Sequence, residues 1–356
     1  MRRLWRGLLG LVLVLALTAG GYMAYALLTY YRLEDRLELT AEAEGTLPEV
    51  TAGEAHTILS YNVGFGAYSA DYSFFMDGGT ESRAASREAV LTNLAGAAEV
   101  LRQETPDFVL LQEVDTDSTR SFHVHEADLL HRALPAHGSV FAQNYDSPYL
   151  LWPLPEPHGK SVSGMLTLSA YDMESALRRS LPVEESLWKF LDLDRCYVVT
   201  RLPVDNGKTL CMYHVHLSAY TSDGTVATRQ LELLLEDMAG EYAAGNYVVC
   251  GGDFNKDLLG DSAAVFGVAG NHAAWAQPFP EELLPEGISL AAPLDAAAPV
   301  PSCRNADQPY DPETSYVLTV DGFLVSENVT VFGAAVLDTG FAWSDHNPVE
   351  MTFFLE

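Results

Sequence analysis

The densest chemistry in the chain lies in Val248-Val249-Cys250-Gly251-Gly252-Asp253-Phe254-Asn255-Lys256-Asp257. An apolar run passes through two glycines and then offers a carboxylate, Asp253, and a carboxamide, Asn255, two positions apart. Residues i and i+2 of an extended segment project to the same side. Both groups therefore leave one strand end together, where an open α/β layer exposes its reactive side chains. Other apolar runs end the same way: Ile58-Leu59-Ser60-Tyr61-Asn62, Phe108-Val109-Leu110-Leu111-Gln112-Glu113 and Tyr213-His214-Val215-His216-Leu217. Val320-Asp321-Gly322-Phe323 and Ser344-Asp345-His346-Asn347-Pro348 complete the set. Acids, amides and imidazoles gathered at strand ends are the groups that hold a hard cation and move protons.

In type and order these clusters resemble the endonuclease/exonuclease/phosphatase superfamily of metal-dependent phosphoesterases, over about residues 56–356. That superfamily includes deoxyribonuclease-like nucleases, abasic-site endonucleases, neutral sphingomyelinases and inositol-polyphosphate 5-phosphatases. Hydrolysing a phosphoester requires neutralised phosphoryl oxygens, an activated in-line water and a stabilised leaving oxygen. Mg²⁺ takes few carboxylates and keeps water and substrate phosphate as its other ligands. Glu113, at a strand end, is the best such ligand, and the resemblance implies Asn62 and Asp345 as its companions, with Mn²⁺ as a substitute ion. It also implies that Asp253 positions or deprotonates the attacking water and that Asn255 hydrogen-bonds the phosphate. His346 would contact the phosphoryl oxygen, Asp321 would orient His346, and His216 would make a second phosphate contact. His214 lies two residues before His216 on the same strand face and is a candidate substrate contact. Relatives commonly carry Asn there, so the His-x-His is a departure; a zinc site on His214 and His216 is the alternative, disfavoured by the hard oxygen ligands around it. Asn144, after the fourth strand, is a further candidate for touching the phosphate.

The elements that must position these groups are legible in outline. Ser86–Glu104 has helical periodicity and stops at Pro106, a second helix falls near Glu126–Leu134, and Thr225–Tyr242 is amphipathic. Strands are expected at 56–62, 107–113, 140–143, 163–170, 247–250, 317–325, 329–336 and 349–354. Residues 195–202 and 208–217 read as a hairpin; a two-residue Asn206-Gly207 turn would set Cys211 opposite Leu202. The segment 257–312 reads as a helical or loop insertion. Mixed strands and helices predict an α/β (α+β) fold, and the resemblance implies a four-layer α/β/β/α sandwich of two mixed sheets.

Residues 1–31 form an apolar span without charge from Gly7 to Tyr31, preceded by Arg2, Arg3 and Arg6. A bilayer needs about 20 such residues, a signal-peptide core about 7–15. The arginines place the N-terminus in the cytoplasm, so a single-pass cell-membrane anchor would carry an extracytoplasmic catalytic domain. Cleavage of a signal after Ala24-Tyr25-Ala26 is the other reading. Residues 32–55 read as a polar stalk and 56–356 as the catalytic domain.

Net charge is −29, and more negative still with Arg2, Arg3, Arg6 and Arg32 set aside. Nucleic-acid binders draw affinity from basic surface, so DNA or RNA is disfavoured as substrate, though not excluded; a phospholipid headgroup or small phosphoester ranks first. A secreted-side nuclease is the second expectation, and a non-catalytic scaffold on the same fold the third. The four cysteines lack metal spacing and read as buried thiols. Oligomeric state is not set by the sequence.

Overall fold

Apolar strands that need cover on both faces dominate the chain, and in the computed structural model they stack into two sheets. Residues 2–42, 45–183, 193–219, 225–268 and 275–356 are described. In chain order the elements are helix α1 (Arg2–Thr29), β1 (Leu37–Leu39), β2 (Ala55–Asn62), α2 (Arg87–Glu104), β3 (Phe108–Asp115), α3 (Glu126–His131), β4 (Gly138–Leu150), β5 (Gly159–Ser169) and β6 (Ser175–Ser180). There follow β7 (Cys196–Pro203), β8 (Thr209–His216), α4 (Thr225–Ala243), β9 (Tyr247–Asp253), α5 (Ser262–Phe266), β10 (Ile288–Ala291), β11 (Cys303–Arg304), β12 (Val317–Leu318), β13 (Asp321–Ser326), β14 (Val329–Val336) and β15 (Val349–Leu355).

One sheet runs β1-β6-β7-β8-β9-β13-β10, the other β14-β15-β2-β3-β5-β4, with β11 and β12 as a small separate pair. Both large sheets are mixed: β8 with β9 and β2 with β3 are parallel, their other neighbours antiparallel. Three cores make four layers. Leu94, Ala97 and Leu101 of α2 pack on Leu59, Val109 and Leu111. Ile58, Phe108, Leu110, Met212, Val249 and Met351 fill the space between the sheets. Leu231, Leu234 and Met238 of α4 cover Tyr213, Val248 and Cys250. The four-layer α/β/β/α sandwich follows.

The α2 start is fixed by Ser86, whose hydroxyl accepts the Ala89 N–H at 3.1 Å. Its end is fixed by Thr105 in the left-handed region before Pro106. Three expectations change. The β7–β8 register pairs Arg201, not Leu202, with Cys211, because the turn holds three residues and Gly207 sits at φ +81°. The described residues of the stretch read as a stalk are folded onto the domain: β1 pairs with β6, Arg32 bonds Asp194 at 2.7 Å, and Val50 is buried. Within 257–312, residues 288–291 form an edge strand; residues 269–274 of that segment lie outside the described residues. The cysteines are free and buried.

Candidate active site

Three adjacent strands of one sheet set a row of reactive groups. His216 ends β8 beside Asp253 at the end of parallel β9, and Asp253 pairs across the antiparallel ladder with Asp321, the first residue of β13. The other sheet supplies a facing row: Asn62 ends β2 opposite Gln112, and Glu113 follows in β3. Asn62 Nδ2 donates across to Asp253 Oδ2 at 3.1 Å. His216 Nε2 lies 3.6 Å from Asp253 Oδ2 and 3.8 Å from Glu113 Oε1. The cluster thus bridges corresponding ends of both sheets.

Local backbone irregularity aims two of these groups. The β3–β5 register slips between Leu111 and Val114, and Glu113 sits in that bulge at φ 57°. Asn255 is held at φ 49°, its N–H donating to Asp253 Oδ1 at 2.8 Å and its Nδ2 to Leu217 O at 2.8 Å. Left-handed non-glycine residues are uncommon and gather at sites that need a re-aimed side chain. Gly64 has a related role, since a Cβ there would lie 2.9 Å from Ser344 Oγ and 3.2 Å from Asp345 Oδ1. Arg304 donates to the carbonyls of Ser69 and Tyr72 at 2.9 and 3.1 Å, fastening the loop after Gly64.

His346 comes from the turn before β15. Its Nδ1 donates to Asp321 Oδ2 at 2.8 Å, and its Nε2 lies 3.9 Å from Asp253 Oδ2. Ser302 Oγ also donates to Asp321 Oδ2, at 2.7 Å. Asp253, Asp321 and His346 form one tight group, with ligand atoms within 4.8 Å of one another.

Burial and mutual repulsion set the charge states. Burial, with Asp321 adding to it, pushes Asp253 up to about 6. Burial and then the Asp345 carboxylate push Glu113 up to about 8, and burial raises Asp345 as well. Burial works against charge on His346, but Asp321 overrides it and holds the imidazolium well above the usual range. His216 is pushed well below that range by burial, with Arg195 contributing, so two imidazoles of opposite charge state flank Asp253.

Glu113 and Asp345 have the chemistry of a hard-cation site. They are half-buried oxygen donors whose proximity disfavours two negative charges, and His216, the basic group found within 4.0 Å of Glu113 among the described residues, is kept neutral. Asn62 Oδ1 accepts one bond, from Gly64 N at 3.0 Å, leaving a lone pair. The Asp253-Asp321-His346 group already contains its own cation. Asp253 can accept a proton near neutral pH, and the His346 imidazolium can stabilise an oxyanion.

Eight of the ten sequence candidates gather here: Asn62, Glu113, His216, Asp253, Asn255, Asp321, Asp345 and His346. His214 does not. Gln112 Nε2 lies 2.7 Å from its Nε2 and Thr167 Oγ1 3.0 Å from its Nδ1, so both ring nitrogens are occupied in the core between the sheets. A substrate contact or zinc ligation by His214 does not fit that placement. Asn144 lies in a β4 bulge, where no hydrogen bond joins its side chain to the cluster among the described residues and its Nδ2 is without a partner. Its carbonyl accepts from Asp194 N, next to Arg195, whose Nη1 donates to Leu217 O at 2.9 Å, the carbonyl that Asn255 also uses. Arg195 and Ser302 are not singled out by the sequence: Arg195 opens the strand read at 195–202 but belongs to no motif, and Ser302 falls in neither a motif nor an expected strand.

Residues 59–346 match the Endonuclease/Exonuclease/phosphatase family. An endonuclease/exonuclease/phosphatase from Beutenbergia cavernae is similar in structure, with a TM-score of 0.57 at 16% identity, covering 85% of this chain and 72% of that one. TDP2 from Caenorhabditis elegans gives 0.52 at 14%, covering 85% and 75%. ANGEL2, a 2',3'-cyclic phosphatase, gives 0.55 at 14%, covering 90% and 99%. At these identities the likeness is one of fold. Among curated proteins no match is found.

Proposed function

The chain belongs to the Endonuclease/Exonuclease/phosphatase family, and from that premise we propose that it is a membrane-anchored, extracytoplasmic, divalent-metal-dependent phosphoester hydrolase. A phospholipid headgroup or small phosphoester is the substrate class. The observation that carries the reading is Asp253, held at about 6 between a neutral His216 and a cationic His346, facing the half-buried acids Glu113 and Asp345. Glu113, Asp345 and Asn62 would hold Mg²⁺ or Mn²⁺. When bound, the ion would supply charge neutralisation at the phosphoryl oxygens.

Asp253 orients and deprotonates the attacking water. His346, fixed by Asp321, donates a hydrogen bond to the phosphoryl oxygen and carries positive charge toward the transition state. Asn255 and His216 bind the remaining oxygens. Helix α1 supplies the anchor: its 28 residues include a window of mean hydropathy 2.0 and it is almost wholly exposed. A helix of that length rises about 42 Å, enough to cross a bilayer core of about 30 Å. Tyr25 accepts the Tyr149 N–H at 3.1 Å, a contact that cleavage after Ala26 would remove, which favours a retained anchor. The net charge of −29 speaks against polyanionic duplexes.

The test is hydrolysis by the full chain in Mg²⁺, comparing a phospholipid panel with plasmid DNA and RNA, each repeated with His346→Ala. Headgroup release lost in the variant supports the reading. Nucleic-acid cleavage lost in the variant would replace it with a nuclease.

A further inference from the structure

The β4–β5 hairpin ends in Leu151-Trp152-Pro153-Leu154-Pro155-Glu156-Pro157, and its large apolar side chains face outward. Leu151 is 48% exposed, Trp152 61% and Leu154 72%. The hairpin is joined to α1. Tyr25 Oη accepts the Tyr149 N–H, while Tyr22 Oη accepts the Leu151 N–H at 3.0 Å and donates to Tyr149 O at 3.3 Å. From Tyr149 to Leu151 the chain therefore runs from the level of Tyr25 to the level of Tyr22, about 4.5 Å back along the helix axis. That direction leads toward the apolar middle of α1, and Trp152 and Leu154 follow next in the chain. The loop closes through the His158 N–H, which donates to Trp152 O at 2.9 Å.

We propose that residues 151–155 form a second membrane contact, seated in the interface of the bilayer that α1 crosses; the inference rests on reading α1 as a membrane-spanning anchor. The loop's composition suits a lipid interface. Tryptophan and tyrosine prefer the headgroup level. Pro153, Pro155 and Pro157 carry no backbone N–H, which removes donors that lipid would leave unsatisfied. The occupant is the lipid of that bilayer, because the patch is continuous with the apolar helix and hydrogen-bonded to its end. The same loop is tied to the segment that follows Gly64 of the site. Ser82 Oγ donates to Glu156 O at 2.7 Å and Arg83 Nε to Pro157 O at 2.8 Å. Residues 82–83 belong to the segment that leaves β2 at Gly64, beside Asp345. Lipid contact at 151–155 fixes that segment at the membrane surface, where a lipid-borne phosphoester is presented.

The experiment uses the full chain in phosphatidylcholine vesicles, with an environment-sensitive fluorophore on Leu154→Cys; the four native cysteines are buried. Leu11→Cys in α1 is labelled in parallel, as is Phe332→Cys on β14, an equally exposed residue at the opposite edge of the same sheet. Lipids carrying quenchers at shallow or deep positions report depth. The expected result is blue-shifted emission at Leu154, quenched most by the shallow label, with Leu11 quenched most by the deep label and Phe332 remaining water-like. Water-like emission at Leu154 with Leu11 still quenched overturns the loop contact and leaves the anchor standing. Water-like emission at both positions overturns the anchor reading and the loop contact with it. Blue-shifted emission at Leu154 that neither quencher reaches assigns the patch to a second copy of the chain and overturns lipid as occupant.

Discussion

His214 and His346 are both buried, and the structure makes opposite use of them. His214 stands between the sheets with Gln112 on one ring nitrogen and Thr167 on the other. No acid faces it among the described residues, and burial pushes it down to about 3. His346 sits at the sheet ends with Asp321 on Nδ1 and Asp253 beyond Nε2, and it is held as a cation. The difference is the company of buried carboxylates rather than depth. Uncharged partners leave His214 a neutral core residue, whereas the Asp321 carboxylate hydrogen-bonded to its ring holds His346 charged. His216, only two residues further along one strand, shares the depressed value of His214 but reaches the site, with Asp253 3.6 Å and Glu113 3.8 Å from its Nε2.

The largest effect that would sharpen this contrast is at the site. Asp253→Ala should lower phosphoester turnover by about 10³–10⁴-fold while leaving melting nearly unchanged, because it removes a charge the fold strains to bury. A large fall in melting temperature with activity retained would make Asp253 a core residue like His214. Next, Asp321→Asn should cost about 10–100-fold in turnover. Because Asp321 raises His346, its removal lets the imidazolium lose its proton at lower pH, so the alkaline limb of the rate profile should move to lower pH. An unmoved limb would mean that the imidazolium is not the active form.

Glu113→Gln should raise the Mg²⁺ concentration needed for half-maximal rate by more than about tenfold, by analogy with losses seen around metal sites, measured by titration after chelation. If only Zn²⁺ restored activity, the hard-oxygen account would fail. On the core side, His214→Ala strips partners from the buried Gln112 amide and Thr167 hydroxyl and should destabilise by about 2–4 kcal/mol, with turnover per folded molecule nearly unchanged.

A last effect, absent at neutral pH, is in the pH dependence of stability. His214 has its folded value depressed to about 3 from 6.5, so between those values the unfolded chain binds the proton and the folded chain does not. Its contribution is complete above 6.5 and is lost as pH falls toward 3, at up to about 1.4 kcal/mol per pH unit. His346 is raised, so its contribution has the opposite sign: complete below the unfolded value and lost as pH rises through the folded one. Denaturant melts of wild type and His214→Gln over that acid window should separate the two, the variant having the shallower slope.

Much of the site was legible because its candidates flank apolar runs, Asp253 and Glu113 toward their ends and Asp321 and His346 at or before their starts, and a polar residue there has few structural reasons to exist. Asp253, His346 and Glu113 were found that way. The bulge that turns Glu113 inward was not legible, since only chain pairing sets that register. His214 was misplaced because alternation places it on the same face as His216 without saying that the sheet's other layer closes over one and not the other. Arg195 and Ser302 reach the site through tertiary contacts with Leu217 and Asp321, which no local pattern encodes. The β7–β8 register differed by one position because a three-residue loop and a two-residue turn share the same Asn-Gly signature. The 32–55 stretch looked like a stalk for its acids, yet three residues, Leu37–Leu39, suffice to add an edge strand.

The measurement that bears most directly on the central claim is turnover of bis(p-nitrophenyl) phosphate by the full chain in vesicles, with chelator and then with added Mg²⁺, beside Asp253→Ala. The account predicts turnover abolished by chelator, restored by Mg²⁺, and absent from a variant that melts like the wild type. Turnover that persists in chelator, or that survives in Asp253→Ala, would contradict it.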